Sequence, residues 1–255
     1  MSVWRVKKKL GLWLSAASLL CATAMPVAAG DGSGAWEFNA QIYLWGAGVS
    51  GETVAGDDIE MGFSKILENL DMALMGSLAA QKDDWILLAD AIYMNLSNDT
   101  KSTANILNHP VKTELDVDLK AFITTLAGGH SVFRNDATNI DLLVGARYLK
   151  LKTTLKAQVG PIQRKVSGSG SIWDGIIGVR GQTDLSEKWY LNYYADVGTG
   201  GSKRTWQALA SVGYRFSKVD AVFGYRYLDW SFDGKSDVFD DLSISGPFAG
   251  VRWSF

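Results

Sequence analysis

The chain has 255 residues, one cysteine, two histidines and a formal net charge of −2. Four of its 25 basic residues and none of its 27 acidic residues lie before residue 30, so the remainder carries a net charge of −6. This acidic balance argues against nucleic acid as a partner, because binding to phosphates requires a basic surplus. With Cys21 as the one cysteine, a disulfide framework is excluded.

Residues 1–29 predict a secretory signal peptide. Arg5 and Lys7–Lys9 form its positive region, Leu10–Leu20 its apolar region and Val27-Ala28-Ala29 a small-residue cleavage site. Residues 30–255 then suit one β domain by length. No later segment has the unbroken apolar run of a membrane-spanning helix. A secreted protein of this kind is either soluble in the periplasm or a membrane barrel.

Apolar and polar residues alternate in about ten later segments, and this period of two predicts strands. In the first, Trp36 to Trp45, one face holds apolar residues and the other holds Glu37, Asn39, Gln41 and Tyr43. The others are Met72–Gln81, Trp85–Leu96, Thr113–Val132, Asn139–Lys152, Ser171–Thr183, Trp189–Val197, Thr205–Phe216, Ala221–Trp230 and Ser243–Phe255.

The connections between these segments alternate between tight and long. The tight ones are Lys82–Asp84, Arg134–Ala137, Leu185–Lys188 and Ser217–Val219; the long ones are Gly46–Asp71, Ser97–Lys112, Thr153–Gly170, Gly198–Arg204 and Ser231–Leu242. Outer-membrane barrels show this asymmetry, with short periplasmic turns and longer extracellular loops. In the first long loop, Phe63, Ile66, Leu67 and Leu70 have helical spacing and predict a short amphipathic helix over Gly62 to Leu70.

The last strand favours a barrel over a soluble sandwich. Phe255, Trp253 and Val251 would share an apolar face, as in the closing strand of an outer-membrane barrel, and we interpret them as an assembly signal. Further aromatic residues fall at the same predicted ends of other strands, where a girdle is expected: Trp36, Trp85, Trp189 and Phe216. The sequence therefore predicts an all-β fold, an antiparallel transmembrane barrel of about ten strands in the cell outer membrane.

A repeat of Gly-x-Arg followed by an aromatic residue occurs four times, around Arg147, Arg215, Arg226 and Arg252, with a degenerate copy around Arg180. In a strand the arginine would face the lumen and the aromatic residue would face lipid. Since a confined arginine is costly unless paired, we expect an internal ladder of pairs with carboxylates on the polar faces. These are Glu37, Asp90, Asp116, Asp118, Asp141, Asp174 and Asp196.

Catalytic interpretations are weaker. His130-Ser131 resembles the His-Ser pairs of outer-membrane lipases, but the asparagine that follows in those motifs is absent and the pair falls at the periplasmic end. Asp57-Asp58 and Asp240-Asp241 could activate water in the long loops, but we interpret them as solvated loop charges. The sequence displays no metal-ligand cluster and no cofactor motif.

The chain resembles a family of uncharacterised Gram-negative outer-membrane β-barrel proteins. The resemblance rests on Leu143–Leu149, Trp206–Phe216, Gly224–Asp229 and Ser245–Gly250. It implies the architecture and no activity. We expect a monomeric, non-enzymatic structural or interaction barrel with a charged, largely filled lumen, whose partners are outer-membrane lipid and the barrel assembly machinery. The alternatives are a narrow diffusion channel for small polar solutes or ions, and a lipid-modifying or proteolytic membrane enzyme.

Overall fold

The computed structural model describes residues 34–53, 58–62, 64, 70–106, 109–159, 162–232 and 239–255. The predicted signal peptide lies outside these residues, and so does most of the predicted loop helix, residues 63 and 65–69. Leu70, the predicted end of that helix, is instead the first residue of a strand. Among the described residues, no helix is both long and apolar enough to cross a membrane.

The described chain is built of strands. They are β1 (Glu37–Trp45), β2 (Gly48–Thr53), β3 (Asp58–Met61), β4 (Leu70–Lys82), β5 (Trp85–Ile106), β6 (His109–Arg134), β7 (Thr138–Val159), β8 (Ile162–Asp184), β9 (Trp189–Gly200), β10 (Arg204–Arg215), β11 (Asp220–Ser231) and β12 (Phe239–Ser254). Each strand from β4 to β12 pairs antiparallel with the next one in the chain.

The sheet closes on itself because β1 pairs with both β4 and β12. β2 continues β1 against β12 in the same register, with Trp45 opposite Phe248 and Gly48 opposite Ser245. The two segments therefore act as one barrel strand interrupted at Gly46-Ala47, while β3 pairs only with β2. The result is a closed antiparallel barrel of ten strands, which confirms the predicted fold class.

Four strands run far beyond the others. β5 to β8 have 22, 26, 22 and 23 residues, whereas β9, β10 and β11 have 12 each. The prediction of long loops at Ser97–Lys112 and Thr153–Gly170 is therefore wrong, because strand pairing continues almost to the tips of both hairpins. Few apolar residues mark either face of 97–106, so the period-two signal fades while the backbone ladder continues.

The outer surface of the barrel is an apolar band between two aromatic rings. At the end with the tight turns, the predicted girdle residues are exposed: Trp36, Trp85, Trp189, Phe216, Trp253 and Phe255. Near the other end, Tyr148 stacks on Trp173 at 4.8 Å and Trp206 on Tyr227 at 4.7 Å. The ten residue steps from Trp206 to Phe216 span roughly 25 Å at ~3.3 Å per residue and ~40° tilt, the height of a lipid-facing band.

We call the two ends of the barrel the tight-turn end and the long-loop end. The tight-turn end carries both the start of β1 and the chain terminus, joined by backbone hydrogen bonds between Phe38 and Phe255 of 2.8 and 2.9 Å. At this end Asp83 adopts a left-handed conformation (φ 52°) in the two-residue turn between β4 and β5. Aspartate tolerates this region better than most side chains.

Candidate functional site: the charged lumen

The inner face of the barrel divides into three zones along its axis. A central network of polar and charged side chains crosses the middle of the lumen. An upper core of apolar side chains lies between this network and the long-loop end. A lower cavity, with further arginines, lies between it and the tight-turn end.

Arg147 on β7 anchors one half of the central network. Its guanidinium pairs with Asp196 on β9, and the side chains of both residues are completely buried. It also donates to Thr205 Oγ1 at 3.1 Å and to Thr125 Oγ1 at 3.3 Å. Arg147 is thereby held by β6, β9 and β10 at once, as a buried guanidinium requires.

Arg226 on β11 anchors the other half. Its guanidinium lies 2.8 Å from Asp90 on β5 and donates to the Tyr43 hydroxyl on β1 at 2.8 Å. Tyr43 in turn donates to the second oxygen of Asp90 at 2.8 Å, and Arg226 stacks over the Trp45 ring at 5.2 Å. Three side chains from strands on opposite sides of the lumen therefore close a ring of charge-assisted hydrogen bonds.

Gln207 on β10 joins the two halves. Its Oε1 accepts from Arg226 at 2.8 Å and from Arg147 at 3.3 Å, and the residue is buried. The central network is thus continuous across the lumen and contains Tyr43, Asp90, Thr125, Arg147, Asp196, Thr205, Gln207 and Arg226. Its two arginines and two aspartates cancel in charge.

The upper core fills the lumen above the network with inward apolar side chains. Trp230, Leu228, Ile92 and Ile123 are completely buried there. The cluster further includes Trp45, Met75, Met94, Leu149, Phe232, Leu242 and Ile244. A ten-stranded barrel is only slightly wider than the eight-stranded size that side chains just fill, so this packing resembles the core of a soluble domain more than the wall of a pore.

The remaining predicted arginines lie toward the tight-turn end. Arg215 pairs with Asp184 at 2.6 Å, with both side chains about one-third exposed. Arg180 and Arg252 have no carboxylate within ion-pair distance among the described residues. Arg252 instead stacks over Tyr190 at 5.3 Å and donates to amide oxygens, including Gln182 Oε1 at 3.3 Å.

Three predicted carboxylates have partners other than arginine, or none. Asp141 is buried and accepts hydrogen bonds from Ser131 (2.6 Å) and Asn139 (3.0 Å). Asp174 is buried and accepts the backbone N–H of Ser202 at 2.8 Å, which fastens the loop after β9. Glu37 is exposed at the tight-turn end and forms no ion pair with any described residue.

The predicted lumen position of Asp118 on β6 was wrong. Asp118 has the parity of Leu126, which is exposed on the outer face, whereas buried Thr125 and Ile123 have the opposite parity. Asp116 holds the same register face as Asp118, although its side chain is outside the described residues. Because the upper lumen is apolar, the apolar face of β6 points inward there. This is the reverse of the usual barrel pattern, in which polar side chains face the lumen.

Two glycines of the Gly-x-Arg repeat, Gly213 and Gly224, lie opposite aromatic rings on the neighbouring strand. Gly213 faces Tyr190 across the ladder, and a Cβ on Gly213 would overlap that ring. Gly224 faces Phe248, and a Cβ there would lie 2.8 Å from the ring. Glycine paired with an aromatic residue across two strands is a known device for curved sheets.

Several residues of the site were not predicted from the sequence. The sequence indicated only that these residues lie on an inward face of their strands, and it did not indicate their contacts with the lumen arginines. They are Asp184, Gln207, Thr125, Thr205 and Tyr190. Tyr43 lies on the predicted polar face but without a role. The identity of a partner depends on the stagger of strands around the barrel, which a single strand pattern does not contain.

The His-Ser pair cannot act as a dyad, because its members lie on opposite faces of β6. His130 is exposed on the outside and packs edge-on against Trp85 at 5.1 Å, whereas Ser131 donates into the lumen to Asp141. Of the paired loop aspartates, Asp58 and Asp241 are both register partners of Glu52, and Asp57 lies outside the described residues. No group of three potential metal ligands occurs in the described part of the chain.

The predicted assembly signal lies on the outer face of the last strand. Val251, Trp253 and Phe255 are all exposed, and the Phe255 ring stacks on Phe38 at 5.9 Å. The terminal residue thus covers the seam where β12 meets β1.

A closed barrel with an apolar outer band between aromatic rings is an integral outer-membrane β-barrel of the Gram-negative type. No protein-family model and no curated relative matches the chain. Among solved structures, it is similar to the outer membrane protease OmpT of Escherichia coli, with 11% identity and a TM-score of 0.51 over 86% of this chain and 97% of that chain. At this identity the likeness concerns the fold alone.

Two further barrels match with lower scores. The translocator domain of the autotransporter NalP from Neisseria meningitidis has 16% identity and a TM-score of 0.44, over 89% of this chain and 90% of that chain. The attachment invasion locus protein Ail of Yersinia pestis, in complex with sucrose octasulfate, has 11% identity and a TM-score of 0.40, over 88% and 99%.

Proposed function

We propose that the protein is a structural or interaction barrel whose lumen is closed, rather than a diffusion channel or an enzyme. The observation that carries this proposal is the pairing of the central network with the upper core. Arg147, Arg226 and Gln207 are at most 5% exposed, and Trp230 and Leu228 above them are completely buried. Solute passage would require both layers to rearrange.

The energetics support a closed state. Opening a path through the network separates Arg147 from Asp196 or Arg226 from Asp90, and a broken buried pair costs about 3 to 5 kcal/mol. It also exposes the large apolar surface of the upper core to water. The side chains at the two levels come from strands all around the barrel, so the described lumen is closed by the barrel wall itself.

Interaction would occur at the long-loop end, where β5 to β8 continue past the aromatic ring. Beyond Trp173, β8 continues for eleven further residues toward its start at Ile162, roughly 28 Å at ~3.3 Å per residue and ~40° tilt. This four-stranded extension is the largest part of the described chain outside the lipid-facing band. With the short turns in the periplasm, it lies outside the cell, and a partner there would contact this sheet first.

Planar-bilayer recording on the refolded protein tests the closed lumen. We expect no steady conductance from the wild type, and a measurable one from the double variant Arg226→Ala, Trp230→Ala, which removes one side chain from each layer. The matched control, Arg215→Ala, changes a pair at the tight-turn rim and should stay closed. A stable open current from the wild type would overturn the proposal in favour of the channel.

A further inference from the structure

The lower cavity is a small, positively charged space beneath the central network. Its volume is about 120 Å³, the space of about four water molecules at ~30 Å³ each. The charged residues that line it are Arg180, Arg226, Arg252 and Asp90, so its lining carries a net charge of +2. Asp90 is already bound by Arg226 and Tyr43, so Arg180 and Arg252 have no ion-pair partner among the residues that line the cavity.

Arg180 shows the imbalance most directly. Its Nη1 is buried and has no hydrogen-bond partner among the described residues. Asp141 is its register partner on β7, yet Ser131 and Asn139 both bind Asp141 Oδ1, Asp141 Oδ2 has no hydrogen-bond partner among the described residues, and the carboxylate does not reach ion-pair distance of Arg180. A buried guanidinium donor without an acceptor carries a full desolvation cost.

Arg252 is held by long hydrogen bonds to neutral groups. Its guanidinium nitrogens lie 3.3 Å from Gln182 Oε1 and 3.5 Å from both Asn192 Oδ1 and Gln41 Oε1. Bonds at these distances are beyond the usual range for N–H···O contacts and are weak. Its register partner on β11, Asp220, accepts a hydrogen bond from the Tyr190 hydroxyl at 2.7 Å and forms no ion pair with Arg252 in the described structure. The guanidinium of Arg252 is therefore oriented by neutral groups and not by a direct ion pair.

The rest of the wall offers donors. Gln41 and Asn192 turn their amide oxygens toward Arg252, so their NH₂ groups point to other parts of the wall. The NH₂ group of Asn192 donates to Ser211 at 3.3 Å. Ser77 and Ser211 add hydroxyl groups to the lining. Water alone would leave the charge uncompensated, whereas one compact anion supplies both the charge and the missing acceptors.

We propose that the lower cavity binds a compact inorganic anion, of the size of chloride or phosphate, between Arg180 and Arg252. The anion enters from the tight-turn end, since Arg252, Gln182 and Asn39 on that side are only partly buried. The central network and upper core separate it from the long-loop end. The site is thus a terminal pocket rather than a step in a passage.

The test measures stability of the refolded full-length barrel at constant ionic strength. Sodium gluconate, which is too large for this cavity, is replaced stepwise by sodium chloride in one series and by sodium phosphate in another. Binding to the folded state alone raises the urea midpoint of unfolding in a saturating manner. The two series distinguish a halide site from a phosphate site, and chloride or phosphorus NMR line widths report binding directly.

Three variants locate the site. Arg180→Gln and Arg252→Gln should each weaken the apparent affinity by about tenfold or more, the loss of one charge-assisted hydrogen bond. The matched control is Arg204→Gln, on the outer face near the long-loop end, where Arg204 pairs with Asp229 at 3.7 Å and is 64% exposed. It removes the same charge and should bind like the wild type.

The proposal is overturned if neither chloride nor phosphate changes the wild-type midpoint relative to gluconate. It is equally overturned if the Arg180 and Arg252 variants respond as the Arg204 variant does. Because the wild-type series needs no substitution, a variant that does not refold leaves the test intact.

Discussion

Replacing Arg147 with alanine should destabilise the barrel more than any substitution at its rim. The change removes the cation that faces Asp196, and both side chains are completely buried. Asp196 Oδ1 already lacks a hydrogen-bond partner in the described structure, so its other oxygen would lose the remaining charge-assisted bond. Leaving one charge of a buried pair uncompensated costs about 3 to 5 kcal/mol of unfolding free energy.

Arg215→Ala is the comparison that isolates burial. Arg215 pairs with Asp184 at 2.6 Å, a good ion-pair geometry, but the two side chains are 32% and 34% exposed. Because water screens this pair, its loss should cost about 0 to 1 kcal/mol. The prediction is therefore a gap of several kcal/mol between two arginines of the same sequence repeat.

Urea unfolding of the refolded protein, followed by tryptophan fluorescence and by heat-modifiable migration, measures both costs. The double variant Arg147→Met, Asp196→Leu should recover most of the loss, because an apolar pair of similar volume is often neutral in place of a buried ion pair. Equal costs for Arg147→Ala and Arg215→Ala would refute the assignment of Arg147 to a dry lumen.

Three other expectations follow from described contacts. Gly213→Ala should lower the free energy of unfolding by about 1 to 3 kcal/mol, because its Cβ would overlap the Tyr190 ring. Gly175→Ala, whose Cβ would meet only Thr199 O at 3.9 Å, should be near neutral in the same urea assay. Deleting Phe255 removes the ring and backbone contacts with Phe38 and should lower the yield of assembled barrel; unchanged yield would speak against a role of this residue in closure. A protease site between Ile106 and His109 should be cut on intact cells and one between Asp83 and Asp84 should not, and the reverse pattern would invert the proposed topology.

The barrel itself could be predicted from the sequence because lipid imposes a strict period of two on its outer face. Ile42, Leu74, Phe223 and their equivalents are exposed apolar residues, as the alternation indicates. The strands that leave the membrane lose this constraint. In β5 and β8 the alternation of apolar and polar residues stops while the backbone pairing of the strands continues. The sequence pattern therefore predicts loops where the structure has strands.

For the lumen, the sequence predicted several of the residues that line it but not how they pair. The pattern placed Arg147, Arg226, Asp90 and Asp196 inside, but it could not pair them, because their partners come from strands with different stagger. It also assumed a polar interior throughout. The apolar upper core reverses that assumption, and Asp118 was misplaced for that reason.

The central network also bears on how long the folded barrel persists. The bonds of Arg226 on β11 to Tyr43 and Asp90 join residues 183 and 136 positions apart, so these two bonds form only when the ends of the sheet meet. Contacts made after the rate-limiting step of folding act on the unfolding rate. If the seam between β12 and β1 closes after the rate-limiting step, these bonds lower the unfolding rate of the barrel more than they raise its folding rate.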